Sequence, residues 1–185
     1  FRLLYVSIIN YYKHQWNVVE AVAKLRSQGA PIVLDLVGPA YPPALKLLQK
    51  SLQKYDPAGE FVRYLGAEPY DSLPGLYHGA DGFIFASTCE TISIIIMEAM
   101  AAGMPIACSN VPPMPEVLVD AGVYFDPENP QNIASALEKL LTDYSLRERL
   151  SNKAFDRSQQ FTWKRCAHET FSFLASFKTQ TLTMP

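Results

Sequence analysis

Short apolar runs alternate along the chain with segments in which apolar residues recur every three or four positions. That alternation predicts a repeated βαβ unit, and so a parallel sheet with helices packed on it. Strands are expected at residues 3–6, 32–37, 61–65, 82–86, 105–108 and 123–125, each too short and too uniformly apolar for a helix. Between them, Val18, Val22 and Leu25 share one helical face that Gly29 ends, and Leu45, Leu48, Leu52 and Tyr55 form a stripe behind Pro42 and Pro43, residues a first helical turn tolerates. A short helix is expected over 72–78, another over 94–102 closed by Gly103, and a third over 130–141 with Asn129 as its N-cap. Two more helices follow, roughly 146–159 and 162–177. Residues 178–185 carry no pattern, so the chain divides into one domain, 1–177, and an expected disordered tail, 178–185.

The composition agrees with a single α/β domain: of 185 residues, 49% are hydrophobic and 18% charged, enough for a sizeable core. Sixteen Lys and Arg stand against eighteen Asp and Glu without a block of either sign, so no phosphate-tracking stripe is visible and nucleic acid is not expected as a partner. No apolar run approaches the roughly 20 residues of a membrane-spanning helix. The first residues do not form a signal peptide, and the absence of an initiator Met suggests a piece of a longer protein. Cys89, Cys108 and Cys166 are odd in number, far apart and without CxxC, which points to reduced thiols and a cytoplasmic setting rather than a disulfide framework or zinc site.

In such a sheet, ligands collect beyond the carboxyl ends of the strands, where helix N-termini aim N–H groups at anions. The loop after the first strand carries Lys13-His14, and Lys13 suits a phosphate oxygen, although by itself it reads equally well as a solvated surface lysine. The same loop has no glycine; the GxGxxG dinucleotide fingerprint is therefore missing and a nicotinamide-dependent oxidoreductase loses its main support. The loop 87–93 runs from strand to helix and would place the N–H groups of Ile92, Ser93 and Ile94 at the positive end of a helix dipole. Glu90 before that helix and Glu98 within it can face one ligand, although Glu98 also reads as an ordinary helix-surface carboxylate. The remaining candidates are weaker. His14, His78 and His168 lack metal-ligand spacing, no DxD, GxSxG or HExxH occurs, and Cys89 is expected to be a small buried filler rather than a nucleophile.

The segment Cys89-Glu90-Thr91-Ile92-Ser93-Ile94-Ile95-Ile96-Met97-Glu98-Ala99-Met100-Ala101-Ala102-Gly103-Met104-Pro105 resembles the E-x7-E segment and EAMA-x-G-x-P signature of glycosyltransferase family 4. Ala80-Asp81-Gly82-Phe83-Ile84 resembles the strand before it in that family, Pro115-Glu116-Val117 and 120–127 the block after it, and Phe161-Thr162-Trp163 the start of its C-terminal helix. The resemblance covers nearly the whole chain, in order. It implies a Rossmann-like three-layer sandwich with an open parallel sheet, the C-terminal, donor-binding half of a GT-B enzyme whose N-terminal acceptor domain is missing here.

The resemblance further implies transfer of a sugar from a nucleotide diphosphate sugar, with retention of configuration and without a metal or other cofactor. Carried over residue by residue, Lys13 contacts the diphosphate, Glu90 the donor sugar, the backbone of Ile92, Ser93 and Ile94 the phosphate, and Glu98 the ribose. Glu90 is accordingly expected to matter for the sugar and not for a bare nucleoside diphosphate. Two departures stand out: Ser7-Ile8 occupies the place of the family's Gly-Arg, removing one cation, and Thr91-Ile92-Ser93 that of Gly-Phe-Gly. The second reading, from a different class, is a degenerate non-catalytic module that binds a nucleotide sugar or packs on a partner.

Overall fold

The computed structural model describes residues 1–180, with side chains through Phe177. Six strands, β1 (Arg2–Val6), β2 (Val33–Val37), β3 (Val62–Gly66), β4 (Gly82–Phe85), β5 (Ile106–Ser109) and β6 (Gly122–Phe125), pair in parallel in the order β3-β2-β1-β4-β5-β6. That order reverses direction between β1 and β4, so the doubly wound α/β architecture expected from the alternating pattern is the one observed. β4 and β5 are buried throughout, and β1 and β2 beyond their first residue, as parallel strands covered on both faces must be. β3 alternates instead, with Arg63 and Leu65 exposed, because it is an edge.

The helices are α1 (Gln15–Ser27), α2 (Pro42–Tyr55), α3 (Leu73–His78), α4 (Ile94–Ala101), α5 (Met114–Leu118), α6 (Pro130–Thr142), α7 (Tyr144–Ser158) and α8 (Trp163–Gln180). α1 packs with α2 and α6, and α4 with α7, forming two helical groups on the sheet. Asn129 caps α6 as expected, its side-chain oxygen accepting from Gln131 N at 3.0 Å and Asn132 N at 3.2 Å. Gly103, at φ +66°, closes α4 as expected, while Gly29 lies one residue beyond the α1 cap residue Gln28.

The structure departs from the sequence reading at α5, which was not anticipated: five residues beside Pro112, Pro113 and Pro115 show no helical period. It also departs at α8, which runs three residues past the expected end at 177; of the expected tail, residues 181–185 lie outside the described residues. α8 leaves Trp163, Phe171 and Phe173 exposed. No helix among the described residues is long and apolar enough to cross a membrane.

The sheet itself carries a buried carboxylate. Asp35, 3% exposed on β2, is held bidentately by Arg63 of β3 (Nε to Oδ1 2.6 Å, Nη2 to Oδ2 2.5 Å), and the Arg2 Nε of β1 lies 3.9 Å away. A buried carboxylate is tolerable only when paired in this way.

Candidate functional site at the switch of strand order

Where the strand order reverses, the loops after β1 and β4 lie side by side. Three contacts clamp them together. The Tyr5 hydroxyl, fully buried on β1, donates to Lys13 O at 2.5 Å and accepts from Ala86 N, just past β4, at 3.1 Å. The Thr88 N–H donates to Tyr12 O at 2.8 Å, and His14 Nε2 lies 3.1 Å from Thr88 Oγ1. Ser109 Oγ of β5 donates to Ser87 O at 2.6 Å and ties the second loop to the next strand.

Below the clamp, Gly38 holds the loop after β2 against β1. Its φ is +138°, and a Cβ there would sit 2.2 Å from Ser7 O, so no side chain fits. Ile9 bridges to Ala40 and its N–H donates to Pro39 O at 2.8 Å, which fixes the course of the first loop.

Lys13 ends a 3-10 turn, Tyr11–Lys13, that Asn10 caps by accepting from Tyr11 N at 2.8 Å. Far from being solvated, its side chain is 8% exposed. Its ammonium lies 4.6 Å from the centroid of the Phe85 ring and 5.1 Å from that of Tyr12, and it is paired with Glu90 Oε1. Two ring faces and one carboxylate thus surround the cation. Glu90 is itself 14% exposed. Lys13 and Glu90, expected to serve different parts of a ligand, form one ion pair.

His14 follows in the left-handed region (φ 49°, ψ 32°), where histidine is tolerated but glycine is better. Burial lowers its pKa below the usual imidazole value, with Glu128 and Asp126 acting in the opposite direction. Gln15, the first residue of α1, is 1% exposed; its Nε2 donates to Ile8 O at 2.9 Å and its Oε1 has no partner.

The second loop leads into α4. α4 begins at Ile94, as expected, and Ser93 is its N-cap, 2% exposed, its Oγ accepting from Ile96 N at 3.4 Å. The helix start thus presents the N–H groups of Ser93, Ile94 and Ile95, which have no acceptor within the helix, while Ile92 lies ahead of the helix and is 56% exposed. The Ser93 hydroxyl is engaged with the helix itself. Cys89 corrects an expectation: it is exposed, not a buried filler.

Glu98 sits one turn along α4. It is half-buried rather than a free surface carboxylate, and each of its oxygens meets a tyrosine: Tyr77 of α3 donates to Oε2 at 2.9 Å, and Tyr70, on the loop after β3, lies 3.4 Å from Oε1. Neither tyrosine was singled out in the sequence, nor was Tyr5. A tyrosine in the middle of an otherwise apolar strand is itself the signal, since a buried hydroxyl needs partners. Nearby, Gly38 O accepts from the Tyr64 hydroxyl at 2.9 Å and Arg63 faces Asp35. Among the described residues no three His, Cys, Asp or Glu side chains gather in a metal-binding group.

Fold and site together define a doubly wound α/β protein with its polar residues at the switch point, the place where this class holds ligands. The particular family follows from the sequence: a profile described as glycosyl transferases group 1 matches residues 1–157, and the chain belongs to that family. It is 38% identical over 112 residues to the O-antigen chain mannosyltransferase B of Escherichia coli, covering 60% of this chain and 29% of that one. To a D-inositol 3-phosphate glycosyltransferase of Corynebacterium diphtheriae it is 34% identical, covering 58% and 26%. The chain therefore spans less than a third of the length of these relatives. Among solved structures, Anabaena Alr3699/HepE in complex with UDP and glucose superposes with a TM-score of 0.84 at 22% identity, covering 95% of this chain and 48% of that one. Sucrose-phosphate synthase from Thermosynechococcus elongatus gives 0.85 at 23%, covering 97% and 46%. These likenesses extend the fold, an all-parallel Rossmann-like sheet between helices, to about half of each of those proteins.

Proposed function

We propose that this chain is the donor-binding, C-terminal half of a GT-B glycosyltransferase that moves a sugar, with retention of configuration, from a nucleotide diphosphate sugar to an acceptor held by an N-terminal domain. The observation that carries the reading is the convergence of Lys13, Glu90 and the α4 N-terminus where the strand order reverses. Lys13 and the N–H groups of Ile94 and Ile95 take the diphosphate, the ammonium as a point charge and the helix through its dipole. Glu90, released from Lys13, orients the donor sugar and favours the positive charge that grows at its anomeric carbon. Glu98 accepts from the ribose.

In this reading the leaving diphosphate is stabilised by these groups without a metal ion. The isolated chain binds nucleoside diphosphate weakly and transfers nothing, since half of the cleft belongs to another domain. UDP in the complexed relatives and mannosyl transfer in the Escherichia coli relative support a nucleoside diphosphate hexose and polysaccharide synthesis. Free thiols at Cys89, Cys108 and Cys166 fit a cytoplasmic site of action.

The test is a panel of nucleoside diphosphates and their sugars screened for thermal stabilisation of the chain, since a ligand of the folded state raises Tm. A rise with one diphosphate, abolished by Lys13→Ala, is expected. A panel without effect on the chain refutes the reading, and binding without turnover in the full-length protein replaces it with a non-catalytic nucleotide-sugar module.

A further inference from the structure

Glu98 has more partners than a ribose contact requires, and the two differ in kind. Tyr77 is 4% exposed, its ring packs 5.8 Å from Phe83 of β4, and its hydroxyl meets Oε2 at a normal hydrogen-bond length of 2.9 Å. Tyr70 is 72% exposed on a 3-10 turn, and its hydroxyl reaches Oε1 only at 3.4 Å, near the limit of a hydrogen bond. One oxygen is therefore fastened from inside the protein, and the other is offered outward under a weak and exposed contact.

A glutamate on a helix face has three rotatable bonds, and in water its carboxylate samples many positions. To accept from one chosen pair of hydroxyls it must be fixed in place by its surroundings, as binding carboxylates generally are. A carboxylate oxygen also has lone pairs to spare, so the bond from Tyr77 does not saturate the group. Burial and the adjoining Glu98 charge both push the Tyr77 pKa upward, which keeps the phenol protonated and donating across the physiological range.

We propose that Tyr77 is the positioning residue of the nucleoside subsite: its buried hydroxyl holds Glu98 so that Oε1 meets the ribose 2′- and 3′-hydroxyls, while Tyr70 gives way when the nucleotide arrives. The inference rests on the proposed role of Glu98 and deepens it, because it states why this site selects a ribonucleotide and which residue outside the ligand contacts carries that selection. Tyr77 touches no ligand in this scheme. It acts through Glu98 alone.

The test uses calorimetry on the 185-residue chain with three probes: a ribonucleoside diphosphate, its 2′,3′-dideoxy analogue and inorganic pyrophosphate. The unmodified chain should favour the ribo over the dideoxy compound by about 10- to 100-fold, the worth of one hydrogen bond to a charged group. Tyr77→Phe keeps the ring against Phe83; it should cut that preference to about threefold or less and leave pyrophosphate binding unchanged. Tyr70→Phe should leave the preference intact. A Tyr77→Phe protein that still discriminates overturns the proposal, and so does a collapse of discrimination in Tyr70→Phe. Loss of pyrophosphate binding in Tyr77→Phe, by misfolding or otherwise, marks a merely structural tyrosine and also overturns it. Failure of the underlying reading looks different: the unmodified chain then binds the two nucleotides equally, or binds none of the three probes.

Discussion

Replacing Glu90 with glutamine should tighten, not spare, the binding of a bare nucleoside diphosphate. Glu90 pairs with the ammonium of Lys13, the two side chains being 14% and 8% exposed. A phosphate that takes Lys13 must displace the carboxylate and then remain near it. Two unit charges about 5 Å apart repel by about 3 kcal/mol at an effective dielectric constant of about 20. Lys13 between them, with the ionic atmosphere, reduces this to about 1.4 kcal/mol, roughly tenfold in Kd. Glutamine keeps the shape and an acceptor oxygen for the ammonium but carries no charge. Glu90→Gln should also lower the Tm of the chain alone, since a buried cation loses its counter-charge and retains a neutral amide oxygen and the Phe85 and Tyr12 ring faces. Calorimetric titration with a nucleoside diphosphate gives the sign directly. In the full-length enzyme the same substitution should reduce kcat by about 10²-fold, a barrier increase of about 3 kcal/mol. Diphosphate affinity equal to or below that of the unmodified chain would refute the idea that Glu90 stands in for phosphate.

The other expectations are simpler. Lys13→Ala should weaken diphosphate binding by about 1.5–3 kcal/mol by calorimetry. Glu98→Gln should raise the donor KM of the full-length enzyme with kcat little changed, because a ribose contact is the same in ground and transition states; an equal fall in kcat and kcat/KM would contradict it. Because burial depresses the His14 pKa, the unfolded chain binds the extra proton first: the stability this residue contributes is intact above about pH 6.5 and is lost as pH falls toward its lower folded value. A Tm-against-pH curve should show this slope in the unmodified chain and a shallower one in His14→Gly, which also suits the left-handed backbone. Gly38→Ala, forced against Ser7 O, should cost at least about 3 kcal/mol in urea unfolding; a loss under about 1 kcal/mol would mean that the loop yields. EDTA should leave the full-length enzyme's activity unchanged, and loss restored by Mg²⁺ or Mn²⁺ would contradict metal-independent transfer.

The fold was legible because each buried strand had to be apolar along its length and each helix had to turn one stripe inward, and both demands leave a period in the sequence. What had no period was missed: α5 among its prolines. Of the candidate site, Lys13, Glu90 and Glu98 stand out in the sequence as charged residues near strand ends or on the helix that follows, and the structure places them on the loops after β1 and β4 and on α4. Their pairing was not visible. Residues 13 and 90 lie far apart in the chain and meet only because β1 and β4 are neighbours, a fact of strand order that local pattern does not carry.

The tyrosines escaped notice for the opposite reason. Tyr5 and Tyr77 look like core aromatics, and their rings are core: Tyr5 packs on Phe85 and Tyr77 on Phe83. Only the position of a single hydroxyl distinguishes an aromatic that fills space from one that fastens a loop or aims a carboxylate. That position depends on the register of the sheet to within a few tenths of an ångström. Tyr5 joins Lys13 to Ala86 because β1 and β4 run parallel and end together, and Tyr77 reaches Glu98 of α4 from α3, with its ring against Phe83 of β4. The doubly wound sheet thus sets the geometry of the site through two phenol groups, and a substitution that preserves both rings while removing either hydroxyl should leave the core packed and the site misaligned.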